Sequence, residues 1–286
     1  MDVLQTRHLL DAHQIRLKKS LGQNFLIDEP TAQKIVAALD IEPGDCVLEI
    51  GPGVGVLSQI IARSYRPEKL LLWEIDGRLV EVLKKQMSDC PNVEILQGDI
   101  LKSNWVQKIH ESGYENCKII SNLPYYITTP ILLSLLRLNA SWGKIVLMMQ
   151  KEAAERFFSP LGAKEYGPLS LMAKYYTKAE QLFVVLPHVF LPPPNVESVV
   201  VCLDKLAETQ NKAIDEDLLW QVVKAAFAQR RKTLANCLAN SNLLADKTQW
   251  QPILTQCDID GKRRGETLTL AEFVCLANQL YDKKSQ

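Results

Sequence analysis

The chain has no excess of either charge: its 286 residues carry 33 Lys and Arg against 33 Asp and Glu. Net charge therefore does not announce a nucleic-acid partner, and any such footprint has to be local. It has no C-x-x-C pair, its seven cysteines are scattered, and its four histidines lie far apart. No zinc-ligand spacing results, no metal is expected, and the cysteines read as reduced thiols of a cytoplasmic protein. No apolar run approaches the roughly 18 residues of a membrane span. The first residues include Asp2, Arg7, His8, Asp11 and Arg16, which interrupt the apolar core a signal peptide would need. No Lys-Ser/Thr follows the glycines at 51–55, which argues against an ATP-type phosphate cradle. Internal repeats and low-complexity segments are also missing.

What is present is a 47% apolar chain with short β-rich runs set between helical patterns. Cys46–Ile50, Leu70–Glu74, Val93–Leu96, Lys118–Ile120 and Ile145–Met149 read as five strands. Amphipathic stretches separate them, so a parallel sheet with helices on both faces is expected. Phe183–Leu186 and Ser198–Leu203 are then joined by a Pro-rich loop without a helix, and read as an antiparallel pair closing the sheet. From about residue 205 the pattern is helical only. The expected division is a catalytic domain over 1–204, with an N-terminal arm over 1–27, and a small all-helical domain over 205–286.

The most informative stretch is Asn122-Leu123-Pro124-Tyr125, at the carboxyl end of the fourth strand, where open α/β sheets place ligands. The exocyclic nitrogen of adenine is a poor nucleophile because its lone pair is delocalised into the ring. The Asn122 side-chain carbonyl and a main-chain carbonyl near Leu123 can accept hydrogen bonds from it, hold it in line with a methyl donor and let positive charge build on it. Tyr125 can stack on the base. Upstream, Glu49-Ile50-Gly51-Pro52-Gly53-Val54-Gly55 leaves the first strand and enters a helix, so backbone can approach a ligand closely. Glu74 ends the second strand roughly 20 residues on, where a carboxylate can accept from ribose hydroxyls. Asp99 ends the third strand, where it can accept from an adenine amino group. One cofactor lying across four strand ends accounts for all these residues.

On these motifs the chain resembles the small-subunit (16S) ribosomal RNA adenine N6,N6-dimethyltransferases of the bacterial KsgA/RsmA type, almost end to end. The leading signature is Lys19 to Leu26, followed by the Glu49–Leu57 loop, Glu74, Asp99 and Asn122–Tyr125. Two later signatures are Phe190-Leu191-Pro192-Pro193-Pro194-Asn195-Val196 with Ser198, and Gln229-Arg230-Arg231-Lys232-Thr233-Leu234. The resemblance implies a Rossmann-like S-adenosylmethionine-dependent methyltransferase fold, a seven-stranded sheet with a terminal antiparallel hairpin. It implies S-adenosyl-L-methionine as cofactor, with Gln23, Asn24 and Leu26 along the methionine end and Gly51, Gly53 and Gly55 bringing backbone against it. Glu49 also belongs to this cofactor set; Glu74 and Ile75 hold the ribose side, Asp99 and Ile100 the adenine. Asn122 would touch cofactor and target, with Leu123, Pro124, Tyr125 and Phe190 completing the catalytic set and Phe190 walling the base opposite Tyr125. Asn195 stands where many relatives carry Lys, and Ser58 where Thr is common.

The implied reaction is dimethylation of two adjacent adenines near the 3′ end of small-subunit rRNA, within an assembling small ribosomal subunit, by a monomeric enzyme. The target base must leave its stack to be reached. Three basic clusters offer a phosphate footprint: Arg16/Lys18/Lys19, Arg230/Arg231/Lys232 and Lys262/Arg263/Arg264. Two alternatives stand beside this reading: a large-subunit rRNA adenine methylase of the macrolide-resistance type, and a non-catalytic ribosome-assembly factor that keeps the fold.

Overall fold

The computed structural model describes residues 3–13, 15, 23–123, 128–137, 141–206, 212–244 and 248–285. The elements alternate as the hydrophobic runs require. The chain opens with α1 (Val3–Ala12), β1 (Phe25–Leu26), α2 (Glu29–Ala37), β2 (Cys46–Ile50) and α3 (Val56–Ile60). Then come β3 (Lys69–Glu74), α4 (Gly77–Gln86), β4 (Val93–Gln97), α5 (Trp105–Glu111), β5 (Asn116–Asn122), α6 (Thr128–Arg137) and β6 (Ser141–Gln150). After α7 (Lys151–Phe157) and α8 (Pro168–Tyr176) follow β7 (Thr177–Val185), β8 (Phe190–Leu191) and β9 (Ser198–Lys205). The chain ends with α9 (Glu216–Phe227), α10 (Leu234–Ala239), α11 (Trp250–Gln256) and α12 (Leu270–Lys284).

Seven strands form one sheet in the order β4-β3-β2-β5-β6-β9-β7. β2 to β6 pair in parallel, and β9 runs antiparallel to β6. The strand order reverses at β2, so the carboxyl ends of β2 and β5 flank a switch point, the place where such sheets open a crevice. Every residue of β2 is buried, as a central parallel strand covered on both faces requires. Asp76 caps α4 by accepting from the Arg78 main-chain N–H at 3.2 Å, so the chain turns sharply just after β3. A second, two-stranded sheet pairs β1 with β8, Leu26 opposite Phe190.

The chain divides into two compact units. One comprises Met1–Ala154 with Lys178–Lys205 and contains the sheet; the other comprises Glu155–Thr177 with Leu206–Gln286. The second unit thus has a discontinuous chain, where a single boundary at 204/205 was expected. Residues 155–177 belong to it because α8 packs on α9 and α12. Its core joins Tyr166 to Phe227 and Phe227 to Phe273, with ring centroids 6.2 and 6.0 Å apart. Cys257 and Cys275 form a disulfide there, with Cα atoms 5.9 Å apart, which corrects the expectation of seven reduced thiols. The packing of α11 against α12 brings together two cysteines 18 residues apart, a spacing that no short motif reveals. Among the described residues, no helix is long and apolar enough to cross a membrane.

Candidate active site

The carboxyl ends of four adjacent strands open onto one cleft enclosing about 980 Å3, its solvent mouth included, the scale of a small-molecule site. β2 contributes Glu49 and the loop Gly51–Gly53, β3 contributes Glu74 and Ile75, the turn after β4 contributes Asp99 and Ile100, and β5 contributes Asn122 and Leu123. Gln23, Asn24 and Leu26 form a further wall. Except for Gly55, every residue expected to bind cofactor lines this cleft.

Glu74 is 4% exposed and does two structural jobs. One carboxylate oxygen accepts from the Gly53 main-chain N–H at 3.0 Å and the other from that of Asp76 at 2.9 Å. The side chain therefore fixes both the glycine loop and the approach to α4. Burial raises its pKa, and these two hydrogen bonds oppose that rise. Glu49, 2% exposed, accepts from the Ser58 hydroxyl at 2.6 Å. Burial pushes its pKa up to about 8; the Ser58 bond lowers it, and the nearby Glu74 charge raises it further.

Asn122 is the last residue of β5, and its side-chain amide N–H donates to the Asn24 carbonyl at 3.2 Å. That bond commits the nitrogen end of the amide, so the oxygen end remains an acceptor on the other side. The Leu123 main-chain N–H is held by the Met148 carbonyl at 2.9 Å. One oxygen of Asp99 accepts from the Leu101 N–H at 3.0 Å; the other lies 3.7 Å from Lys102. Ile75 is 47% exposed although it lines the cleft, an apolar surface suited to a planar ring.

Two glycines separate binding from packing. Gly51 has φ +66°, and an added Cβ there would meet no protein atom within 4 Å, so it would stand in the space of the cleft. Gly55 has φ +80°, and a Cβ would lie 2.8 Å from Gln86 Oε1 and 3.0 Å from Leu83 Cδ2 on α4. Gly55 is therefore needed for close packing of α3 on α4. The carboxylates, the open backbone at Gly51 and the absence of any Lys, Arg or His from the described lining fit a cationic nucleoside and not a phosphate group.

Phe190, expected to wall the target base opposite Tyr125, stands outside the cleft formed by the four strand ends. It is 2% exposed, packs in the core of the first unit and does not line the cleft. Its backbone pairs with Leu26, so it supports the wall formed by Gln23–Leu26. Pro124, Tyr125, Lys18 and Lys19 lie outside the described residues. Two features escaped sequence reasoning. Phe25 lines the cleft and faces Gly53, and it was visible only as part of the leading signature. Asp76 is buried, caps α4 and accepts from the Gln23 side chain at 3.4 Å.

In the second unit, Arg230 and Arg264 both pair with Glu266, at 3.7 and 3.9 Å, so two basic clusters distant in sequence meet. Arg231, Lys232 and Lys262 are exposed beside them. Arg263 is committed elsewhere: its guanidinium bonds Glu272 and Thr267, clamping the first turn of α12.

The sequence profile of the family described as ribosomal RNA adenine dimethylase matches residues 14–275. The chain belongs to this family. It is 41% identical over 281 residues to the Ribosomal RNA small subunit methyltransferase A of Alkaliphilus oremlandii, covering 98% of this chain and 97% of the relative. It is 44% identical over 282 residues to the protein of the same name from Staphylococcus carnosus, covering 96% and 94%. Among solved structures, a dimethyladenosine transferase from Plasmodium falciparum superposes with a TM-score of 0.76 at 25% identity, covering 91% of this chain and 98% of that one. The 23S rRNA methyltransferase ErmE shares the fold, with a TM-score of 0.63 at 22% identity over 90% and 99% of the two chains.

Proposed function

We propose that this protein transfers methyl groups from S-adenosyl-L-methionine to the N6 atoms of two adjacent adenines near the 3′ end of small-subunit rRNA, during assembly of the small ribosomal subunit. The observation that carries the reading is the Asn122 amide, tethered through its nitrogen to Asn24 at the end of β5 beside the cleft. Tethering leaves a fixed oxygen acceptor for an amino N–H, which raises electron density on the attacking nitrogen and stabilises positive charge as it forms. The near-full-length likeness to proteins named for the small subunit favours that target over large-subunit RNA.

Bound in the cleft, S-adenosylmethionine supplies a methyl group on a sulfonium, an electrophile that needs no covalent enzyme nucleophile and no metal. The chain's own residues hold and align. Glu74 would accept from ribose hydroxyls, while its existing bonds keep the Gly51–Gly53 loop in place. Asp99 would accept from the cofactor's adenine amino group, and Ile75 and Ile100 would cover the ring. Gln23, Asn24 and Leu26 would hold the methionine end. Asn122 and Leu123, with Pro124 and Tyr125 following them in the chain, orient the target base. The methylated nitrogen then gives its proton to water. Arg230, Arg231, Lys232, Lys262 and Arg264 supply phosphate contacts, with Lys18 and Lys19 at the N-terminal arm. The enzyme acts as a monomer in the cytoplasm, where small subunits assemble.

Asn122→Ala tests the reading. Methyl transfer should fall about 100- to 1000-fold, while equilibrium binding of S-adenosylmethionine stays within a few-fold of wild type. Unimpaired transfer would remove Asn122 from the chemistry.

A further inference from the structure

Ser58 has no part in the mechanism above, yet it is fully buried on α3 and its hydroxyl donates to Glu49 Oε2 at 2.6 Å. Ser58 itself does not line the cleft; Glu49 does. The charged group that bears on Glu49 is Glu74 from β3, whose oxygens are occupied by the Gly53 and Asp76 N–H groups. No Lys, Arg or His is among the described residues lining the cleft, so the lining offers Glu49 no cationic partner. Once ionised, a buried carboxylate with one oxygen held by a neutral hydroxyl has an oxygen left over and no positive charge beside it to offset its own.

We propose that Ser58 is a positioning residue for cofactor capture: its hydroxyl pins one oxygen of Glu49 so that the other is held for a cationic group of S-adenosylmethionine. The proposal rests on the reading that the cleft binds this cofactor. It makes binding proton-linked. Burial keeps Glu49 neutral around pH 7, with its pKa up to about 8. An arriving cation favours the carboxylate, so the carboxyl proton leaves to buffer as the complex forms. The Ser58 hydroxyl favours the same ionised form and lowers the pH at which capture is complete.

The test is titration calorimetry of S-adenosylmethionine from pH 6 to 9, in buffers of different ionisation heat, with wild type, Ser58→Ala and Ser58→Thr. Relative to Glu49→Gln, wild type should release additional protons on binding at pH 7, and its affinity should rise with pH and level off near 8. Ser58→Ala should bind about tenfold more weakly and level off at higher pH. Ser58→Thr, which keeps the hydroxyl, should retain both wild-type properties. Glu49→Gln, close in shape to the neutral carboxyl, should keep only the titration of the cofactor's own α-amino group, and it serves if Ser58→Ala fails to fold. Wild-type affinity and profile in Ser58→Ala would overturn the proposal. So would equal weakening in both Ser58 variants with an unchanged profile, which is the signature of packing alone. Failure of the wild type to bind the cofactor would sink the reading of the cleft itself.

Discussion

Glu49 shows how burial turns one side chain into a pH-dependent contribution to stability. Its pKa in the folded chain, about 8, stands above the ordinary 4.5. Folding favours the neutral form, so the contribution is complete below pH 4.5 and is lost as pH rises through about 8. Wild type should therefore lose stability relative to Glu49→Gln between pH 5 and 8, by on the order of 3 kcal/mol. Urea unfolding of both proteins across that range measures the difference; parallel curves would contradict it. At this scale the sequence was legible where one residue type has one chemical use. Glu74, Asp99 and Asn122 stood out because each follows an apolar run, and each lines the cleft. What each side chain is bonded to was not legible. The Asn122–Asn24 bond spans 98 positions and the Gly53–Glu74 bond 21, and no local pattern encodes either. Arg263 reads as one of three neighbouring basic residues, and only packing shows it committed to Glu272.

Among the elements, the parallel strands were the easiest part to read, since burial on both faces leaves nearly continuous apolar runs. β2 has the expected limits, Cys46–Ile50, and β3 and β4 differ from expectation by one residue each. β1 and β8 were missed: two residues each are too few to show a period of 2. β7 begins at Thr177, ahead of its apolar run, because its first half alternates weakly at the sheet edge. The glycine loop shows how a single motif serves two elements. Gly51→Ala should weaken cofactor binding at least tenfold, since its Cβ would occupy the cleft, with a modest loss of stability from φ +66°. Gly55→Ala should cost about 1–3 kcal/mol of stability by pressing α3 off α4. Any binding loss it causes should be no larger than that destabilisation explains. Thermal denaturation and cofactor titration of the pair distinguish the two roles, and equal effects on binding would contradict the assignment.

For the whole molecule, one large sheet unit and one helical unit follow from where the strand rhythm stops, but the discontinuity of the helical unit does not. Residues 155–177 precede two strands, β7 and β9, that belong to the sheet unit, so sequence order alone assigns the segment to the wrong partner. The Cys257–Cys275 disulfide closes a loop that contains Lys262, Arg263 and Arg264. Removing it with Cys275→Ser should cost roughly 2–4 kcal/mol by freeing the unfolded chain, read as a lower thermal midpoint than that of the oxidised wild type; strong reductant should erase the difference. Whether this cleft methylates small-subunit rRNA is decided by methyl transfer itself. Labelled methyl transfer from S-adenosylmethionine to small-subunit particles lacking adenine methylation is followed with nucleotide-level mapping, with Asn122→Ala as control. Dimethyladenosine at two adjacent adenines near the 3′ end, abolished in the variant, is the predicted result. Label on large-subunit RNA, or particle binding with no label anywhere, would contradict the account.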